Sequence, residues 1–151
     1  MALSDSAFRT MLRIHQRIYE GSDGLIGHKL LAGHPALLLR TTGRKSGQTR
    51  TNALIYADDG GRYLVVASKG GSDQPPGWLF NLQADPHVEL QIARKRRQAS
   101  ATVIGSDDPD FGRLWKLVND KNGGRYDAYQ RQTSRPIPIV ALTPDDRRGA
   151  G

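Results

Sequence analysis

Short apolar runs, each ended by a turn rich in glycine, proline or charge, decide what this 151-residue chain can fold into. They are Ala36–Thr41, Asn52–Ala57, Tyr63–Ala67, His87–Ala93, Gln98–Ile104 and Pro136–Leu142. Runs of five to seven residues bounded by turn residues read as strands, since a core helix needs about 10–12. Asp58-Asp59-Gly60-Gly61 supplies a hairpin turn, because glycine accepts the left-handed backbone that a tight reversal needs. From His87 to Ala93, Val88, Leu90 and Ile92 alternate with Glu89 and Gln91, which predicts one core face and one polar face. Arg94–Arg97 then reads as the turn before the returning strand.

Helical spacing is confined to a few places. Phe8, Met11, Leu12 and His15, with Ile14 and Ile18 beside them, predict an N-terminal amphipathic helix. Ser4 or Ser6 caps it and Gly21 and Gly24 stop it. Pro75-Pro76 opens a short helix over Gly77–Ala84, closed by Asp85-Pro86. Ser106 is expected to cap a helix through Asn119 with Phe111, Leu114, Trp115 and Val118 inward. Hairpins dominate and helices are too few for a doubly wound sheet, so the fold class is α+β: a small antiparallel barrel of about six strands with flanking helices. Residues 1–144 form a single domain, and 145–151, polar and glycine-ended, form a flexible tail.

Charge narrows the functional classes. Lysine and arginine outnumber aspartate and glutamate 22 to 15, a net +7. Thr42–Arg50 carries three cations (Arg44, Lys45, Arg50) and no acid, Arg94–Arg97 is four cations in a row, and the remainder balances. The absence of cysteine excludes disulfides, thiolate nucleophiles and cysteine-held metals, and suits a reducing cytoplasm. The four histidines form no ligand pattern, so no metal is expected. No run approaches the ~20 apolar residues of a membrane span, and the N-terminus lacks a signal-peptide core.

Three clusters carry chemistry. Thr41–Arg50 (TTGRKSGQTR) is a glycine-hinged basic turn between strands, whose amides, hydroxyls and cations suit an anion, yet it fails the P-loop spacing. Neither a dinucleotide-binding glycine pattern nor a G-x-S-x-G elbow is present. Val65–Gly71 ends a strand in Ser68, Lys69 and two glycines, and Trp78 and Phe80 follow at the start of a helix. Tyr126 and Tyr129 share a helix face, and Arg135 is read as a cap on the turn before Pro136. Together they suggest a site for an anionic aromatic cofactor.

In this order and spacing, TTGRKSGQTR, ASKGG (Ala67–Gly71), W-x-x-N-L-x-A-x-P (Trp78–Pro86), YxxYQ (Tyr126–Gln130) and RPIPI (Arg135–Ile139) resemble the deazaflavin-dependent nitroreductase family of actinobacteria. The resemblance implies a split β-barrel that binds coenzyme F420, an 8-hydroxy-5-deazaflavin. It places Arg44, Lys45, Ser46, Arg50, Thr51 and Asn52, with Ala53, Leu54 and Ile55 along the strand, on the phosphodiester and oligoglutamate tail. It places Val66, Ala67, Ser68 and Lys69, and Gly77, Trp78, Leu79, Phe80 and Asn81, around the ring. Ser68, Tyr126 and Tyr129 fall on the substrate side as the catalytic set. The implied reaction is hydride transfer from the reduced cofactor to a quinone, an enone or a nitro compound. Asn122-Gly123-Gly124 stands where the nitroimidazole-activating members carry a further tyrosine, which counts against prodrug nitroreduction.

Other readings make different demands. FMN in the same barrel would also use Arg44, Lys45 and Lys69 for its phosphate. A basic nucleic-acid-binding barrel should interleave aromatics with cations along one strand face, and this chain does not. Peripheral membrane contact through the N-terminal helix and the Arg94 turn would bring a cytoplasmic enzyme to a lipid-soluble quinone.

Overall fold

A computed structural model describes residues 35–145. The predicted N-terminal helix lies outside the described residues. Seven strands form one sheet: β1 (Ala36–Thr42), β2 (Thr49–Ile55), β3 (Ala57–Asp59), β4 (Arg62–Val66), β5 (His87–Ile92), β6 (Lys95–Ile104) and β7 (Ile139–Pro144). Their order is β2-β1-β5-β6-β7-β4-β3, and every pairing is antiparallel. Among the described residues three helices accompany the sheet: α1 (Gly77–Ala84), α2 (Phe111–Lys121) and α3 (Arg125–Arg131).

The order forces the sheet to curl. β2 and β3 are its two edges, yet Tyr56 alone separates them in sequence. A flat sheet of this width would hold its edges about 29 Å apart at ~4.8 Å per strand. Ile55 and Ala57 are two residues apart and so lie within ~7 Å of each other. Only a sheet rolled into a half-barrel meets both conditions. Asn52–Ala57, expected as one strand, is therefore a bent segment serving both edges: Ile55 pairs with Ala36 and Ala57 with Leu64. Tyr56 donates its amide to Pro35 O at 3.2 Å, and its ring meets Tyr63 edge-on at 5.5 Å. The α+β split barrel is thus observed, with a seventh strand made by this bend.

Strand alternation sorts the apolar residues into two cores. Leu37, Leu39, Val65, Ala67, Val88, Leu90, Ala99, Val140 and Leu142 meet inside the curl, where Trp78, Leu79 and Leu82 of α1 pack against them. Leu64, Val66, Ile104, Ile139 and Ala141 face the other way, under Leu114 and Val118 of α2 and Tyr126 and Tyr129 of α3. Each fully buried leucine contributes about 1.5–3 kcal/mol. Leu37, Leu39, Leu64, Leu90 and Leu142 are all wholly buried, so neither core is incidental.

Several local expectations shift. Gln91, expected on the polar face, is fully buried; its Oε1 accepts from Arg40 Nη2 at 2.9 Å and its Nε2 donates to Ala93 O at 3.1 Å. Arg40 also pairs with Glu89 at 3.0 Å. The β5–β6 reversal falls at Ala93 (φ 53) and Arg94, so Lys95–Arg97 belong to β6 rather than to the turn. Arg97 turns inward and donates to the Tyr63 phenol at 3.2 Å. α2 begins at Phe111, behind Asp110 and not Ser106: Asp108 accepts the Asp110 amide at 2.8 Å and holds 105–110 as a turn. Phe111 and Trp115 are half-buried and stack at 5.5 Å. Asp145, expected in the flexible tail, donates its amide to Gln98 O at 2.9 Å and accepts from Ser100 Oγ at 3.0 Å. Among the described residues no helix is long and apolar enough to cross a membrane.

Asp59 locks the β3–β4 hairpin to α2. Arg113 forks onto its two oxygens at 3.0 and 3.2 Å, and Arg62 Nε donates at 3.1 Å. The Arg113 hydrogen bonds, more than Arg62, hold the Asp59 carboxyl below its ordinary value of 3.8. A depressed carboxylate stabilises the fold fully above its unfolded value and loses that contribution as pH falls through the folded one. Asp59→Asn is therefore expected to lower the thermal midpoint at neutral pH, with the gap to wild type closing as pH falls through the depressed folded value. A gap between the two melting curves that stays constant with pH would rule out the ion pair as its source.

Candidate functional site

The basic turn between β1 and β2 is built before any side chain reaches outward. Gly43 donates to Gln48 O and Gly47 to Gly43 O, both at 2.8 Å. A Cβ at Gly43 would sit 2.9 Å from Ser46 Oγ and 3.1 Å from Gln48 O, so only glycine lets the turn close. Ser46 Oγ accepts the Gln48 amide at 3.1 Å and Arg50 Nη2 at 3.5 Å.

Asn81 then binds this turn to α1. The residue is 5% exposed, and its Oδ1 accepts from the Arg44 amide at 3.2 Å and from Arg44 Nη1 at 3.0 Å. Its Nδ2 donates to Thr41 Oγ1 at 3.2 Å. Arg44 Nη1 also reaches Gly77 O at 3.4 Å, and its guanidinium lies 5.0 Å from the Phe80 ring centroid. A buried amide satisfied on both ends fixes one geometry, because any other would orphan a polar group. Arg44 is thereby held in place while its remaining donors face outward.

Turn, β2 and helix start enclose a cleft of about 610 Å³. Of the expected cofactor residues it is lined by Arg44, Lys45, Ser46, Arg50, Thr51, Asn52, Gly77, Trp78 and Asn81, with Gly43 and Thr49 besides. No acidic side chain lines it. None of its three cations enters an ion pair among the described residues. The N-terminal amides of α1 add partial positive charge. The donor set fits a polyanion.

The other expected residues fall elsewhere. Ala53 packs on Leu38, Leu54 turns to the inner core, and Ile55 is buried at the bend. Leu79 and Ala67 belong to the inner core and Val66 to the outer one. Phe80 is 38% exposed over Arg44. Ser68 is buried, and Lys69 is exposed with φ 46 at the head of a 3-10 turn, Lys69–Gly71.

Tyr126 and Tyr129 do not line the cleft. Both are buried in the outer core, edge to face at 6.2 Å, with Tyr126 also against Trp115. Burial pushes the Tyr126 phenol well above its ordinary range. The helix corner ahead of them is rigidly tied. Gly124 donates to Asn119 O at 2.9 Å, and Asp127 accepts from Trp115 Nε1 and Asn119 Nδ2, both at 2.7 Å.

Arg135 does not cap its own turn. Its Nε donates to Ser72 O at 2.8 Å, and its Nη2 to Ala67 O at 3.1 Å and Ser68 O at 2.9 Å. Gln130, unremarked in the sequence beyond its place in YxxYQ, holds the segment that carries Arg135. Its Nε2 donates to Arg135 O at 2.8 Å and its Oε1 accepts from the Ile137 amide at 2.9 Å. Thr41, read in sequence as a hydroxyl of the basic turn that suits an anion, is buried instead and accepts from Asn81 Nδ2.

Against known proteins, the family model described as F420H(2)-dependent quinone reductase matches residues 11–144. An F420H(2)-dependent quinone reductase of Mycobacterium tuberculosis is 51% identical over 133 residues, 88% of this chain and 89% of that protein. A solved F420-H2 dependent reductase superposes with a TM-score of 0.65 at 35% identity, over 72% of this chain and 93% of its own. A structure described as a domain-swapped dimer gives 0.68 at 32%, over 86% and 94%. The chain belongs to the F420H(2)-dependent quinone reductase family.

Proposed function

We propose that this protein is an oxidoreductase that holds reduced coenzyme F420 in the cleft between the basic turn and α1 and passes its hydride to a quinone. The observation that carries this reading is the acid-free cleft in which Asn81 presents Arg44 beside Lys45 and Arg50. An oligoglutamate tail with a phosphodiester is the anion that such a cleft discriminates best, since each further carboxylate finds another cation. When bound, the deazaflavin supplies the hydride, so the protein's tasks are grip, orientation and exclusion of water.

The chain's residues divide those tasks. Arg44, Lys45, Arg50 and Ser46 hold the tail, with Thr51 and Asn52 beside them on β2. Edge strand β2 offers main-chain groups along Ala53–Ile55, whose side chains are committed to packing. Trp78 and the amides at Gly77 close the inner end. Ser68, at the head of the Lys69–Gly71 turn, is the side chain assigned to the acceptor's oxygen. Tyr126 is assigned to packing, because its ring is buried in the outer core against Trp115 and Tyr129 and does not line the cleft. Tyr129 carries the backbone against which Gly71 closes.

Titration with oxidised F420 and with FMN tests the reading. F420 should bind more tightly, and its affinity should fall steeply with salt as the exposed cations are screened. Equal affinity for the two, or none for F420, would overturn it. Arg44→Ala should weaken F420 binding by about 10–100-fold, the loss of one or two charge-assisted hydrogen bonds, and Asn81→Ala should approach the same value by releasing Arg44. An unchanged dissociation constant in both variants would place the tail elsewhere. In stopped-flow oxidation of the reduced cofactor, quinones should outpace nitroaromatics. Tyr126→Phe should keep kcat/KM within about twofold while costing about 1 kcal/mol of stability through its lost hydroxyl contact; a tenfold fall in kcat would restore the phenol to the chemistry.

A further inference from the structure

We propose that Arg135 is a positioning residue for this reaction: its guanidinium, through the carbonyls of Ala67, Ser68 and Ser72, sets the shape of the Ser68–Gly71 turn, which on the functional reading borders the deazaflavin ring. The inference rests on the functional reading above and extends it to a residue outside the cleft.

The turn does not hold itself. Lys69, Gly70 and Gly71 follow one another at φ 46, 64 and 86, a left-handed run that a lysine adopts only when its surroundings impose it. Inside the turn the bonds are Gly71 N to Ser68 O at 3.0 Å and Ser72 N to Lys69 O at 3.2 Å. Arg135 approaches from the far end of the chain and bridges the entry of the turn to its exit. Planarity matters here: Nε and Nη2 point in fixed directions, so the spacing between Ser72 O and the Ala67–Ser68 carbonyls is set by the guanidinium itself. A lysine ammonium is a single point and cannot impose that spacing.

Arg135 is in turn fixed from behind. Thr133 Oγ1 accepts its amide at 3.2 Å and Gln130 Nε2 donates to its carbonyl at 2.8 Å. From the other side the turn rests on α3, where a Cβ at Gly71 would lie 3.0 Å from Tyr129 O and 3.1 Å from Tyr129 Cα. The YxxYQ segment, whose tyrosines in sequence look like the substrate side, and the RPIPI segment therefore make a two-sided clamp on the Ser68–Gly71 backbone. Ser68 inherits its place from that clamp.

The test separates ring from tail. Wild type, Arg135→Ala, Arg135→Lys and Arg44→Ala are titrated with F420 and with the deazaflavin chromophore lacking the phosphodiester tail, and amide hydrogen exchange over residues 67–72 is followed in unliganded protein. Arg135→Ala should weaken the tailless chromophore by about tenfold, shift the absorbance of the bound ring and speed exchange in 67–72. Arg44→Ala should weaken F420 alone. Guanidinium ion at low concentration should restore ring affinity to Arg135→Ala but not to Arg135→Lys, where the lysine occupies the space. If Arg135→Ala does not fold, Arg135→Lys carries the same comparison. A folded variant with wild-type ring affinity, spectrum and exchange overturns the clamp, as does a fall in affinity confined to F420. A wild type that binds neither molecule overturns the functional reading, and the positioning role falls with it.

Discussion

The single residue between β2 and β3 is the constraint on which the architecture depends. With Tyr56 as the whole connection between opposite edges, the sheet has to close on itself. Closure divides the apolar residues into an inside and an outside: β4, β6 and β7 present one face to the core that holds α1 and the other to α2 and α3, while Leu38 of β1 and Ala53 of β2 pair off separately. It also leaves β2 as an edge beside the basic turn, so main-chain groups and cations border the same cleft. A flat sheet from the same runs would have no inside for Trp78, and α1 would have nothing to anchor Asn81.

Two polar side chains, Asn81 buried and Arg135 half-buried, translate this architecture into a site. Asn81 fixes a cation and Arg135 fixes a piece of backbone, each through more than one hydrogen bond. Such networks specify geometry more than they add stability, since the hydrogen bonds they make replace bonds to water at a net gain of about 1 kcal/mol each. The cleft is thus shaped before a ligand arrives, and the ordering of Arg44 is not charged against binding.

What the sequence made readable was local. The turn at Thr41–Arg50, the helix at Gly77–Ala84 and the hairpin at Asp58–Gly61 each rest on glycine, proline or charge within a few residues, and each is found in its expected place. Long-range events were not readable. The bend at Tyr56 leaves no mark in an apolar run, because both halves are strands and a change of partner has no composition. Gln91 alternates like a surface residue and is buried only because Arg40, on β1, reaches it from the neighbouring strand. Arg135 looked like a local cap because the carbonyls it serves are more than sixty residues away. The tyrosine pair was read correctly as one helix face, but nothing in its spacing says which side of the sheet that face meets.

The same distinction reorders the charge. Arg40, Arg62 and Arg113 are matched to Glu89, Asp59 and Asp110, and Arg97 and Arg135 are spent on a phenol and on main-chain carbonyls. These cations carry formal charge in the count of +7 without offering a free face to an anion. Arg94 and Lys95 are exposed at the β5–β6 tip. Field strength at an anion depends on unpaired charge brought together at one place, and the cleft gathers three such cations with no acid. Placement, more than net charge, therefore favours a small polyanion over an extended nucleic-acid backbone, which would need such charge along a strand face rather than at one turn.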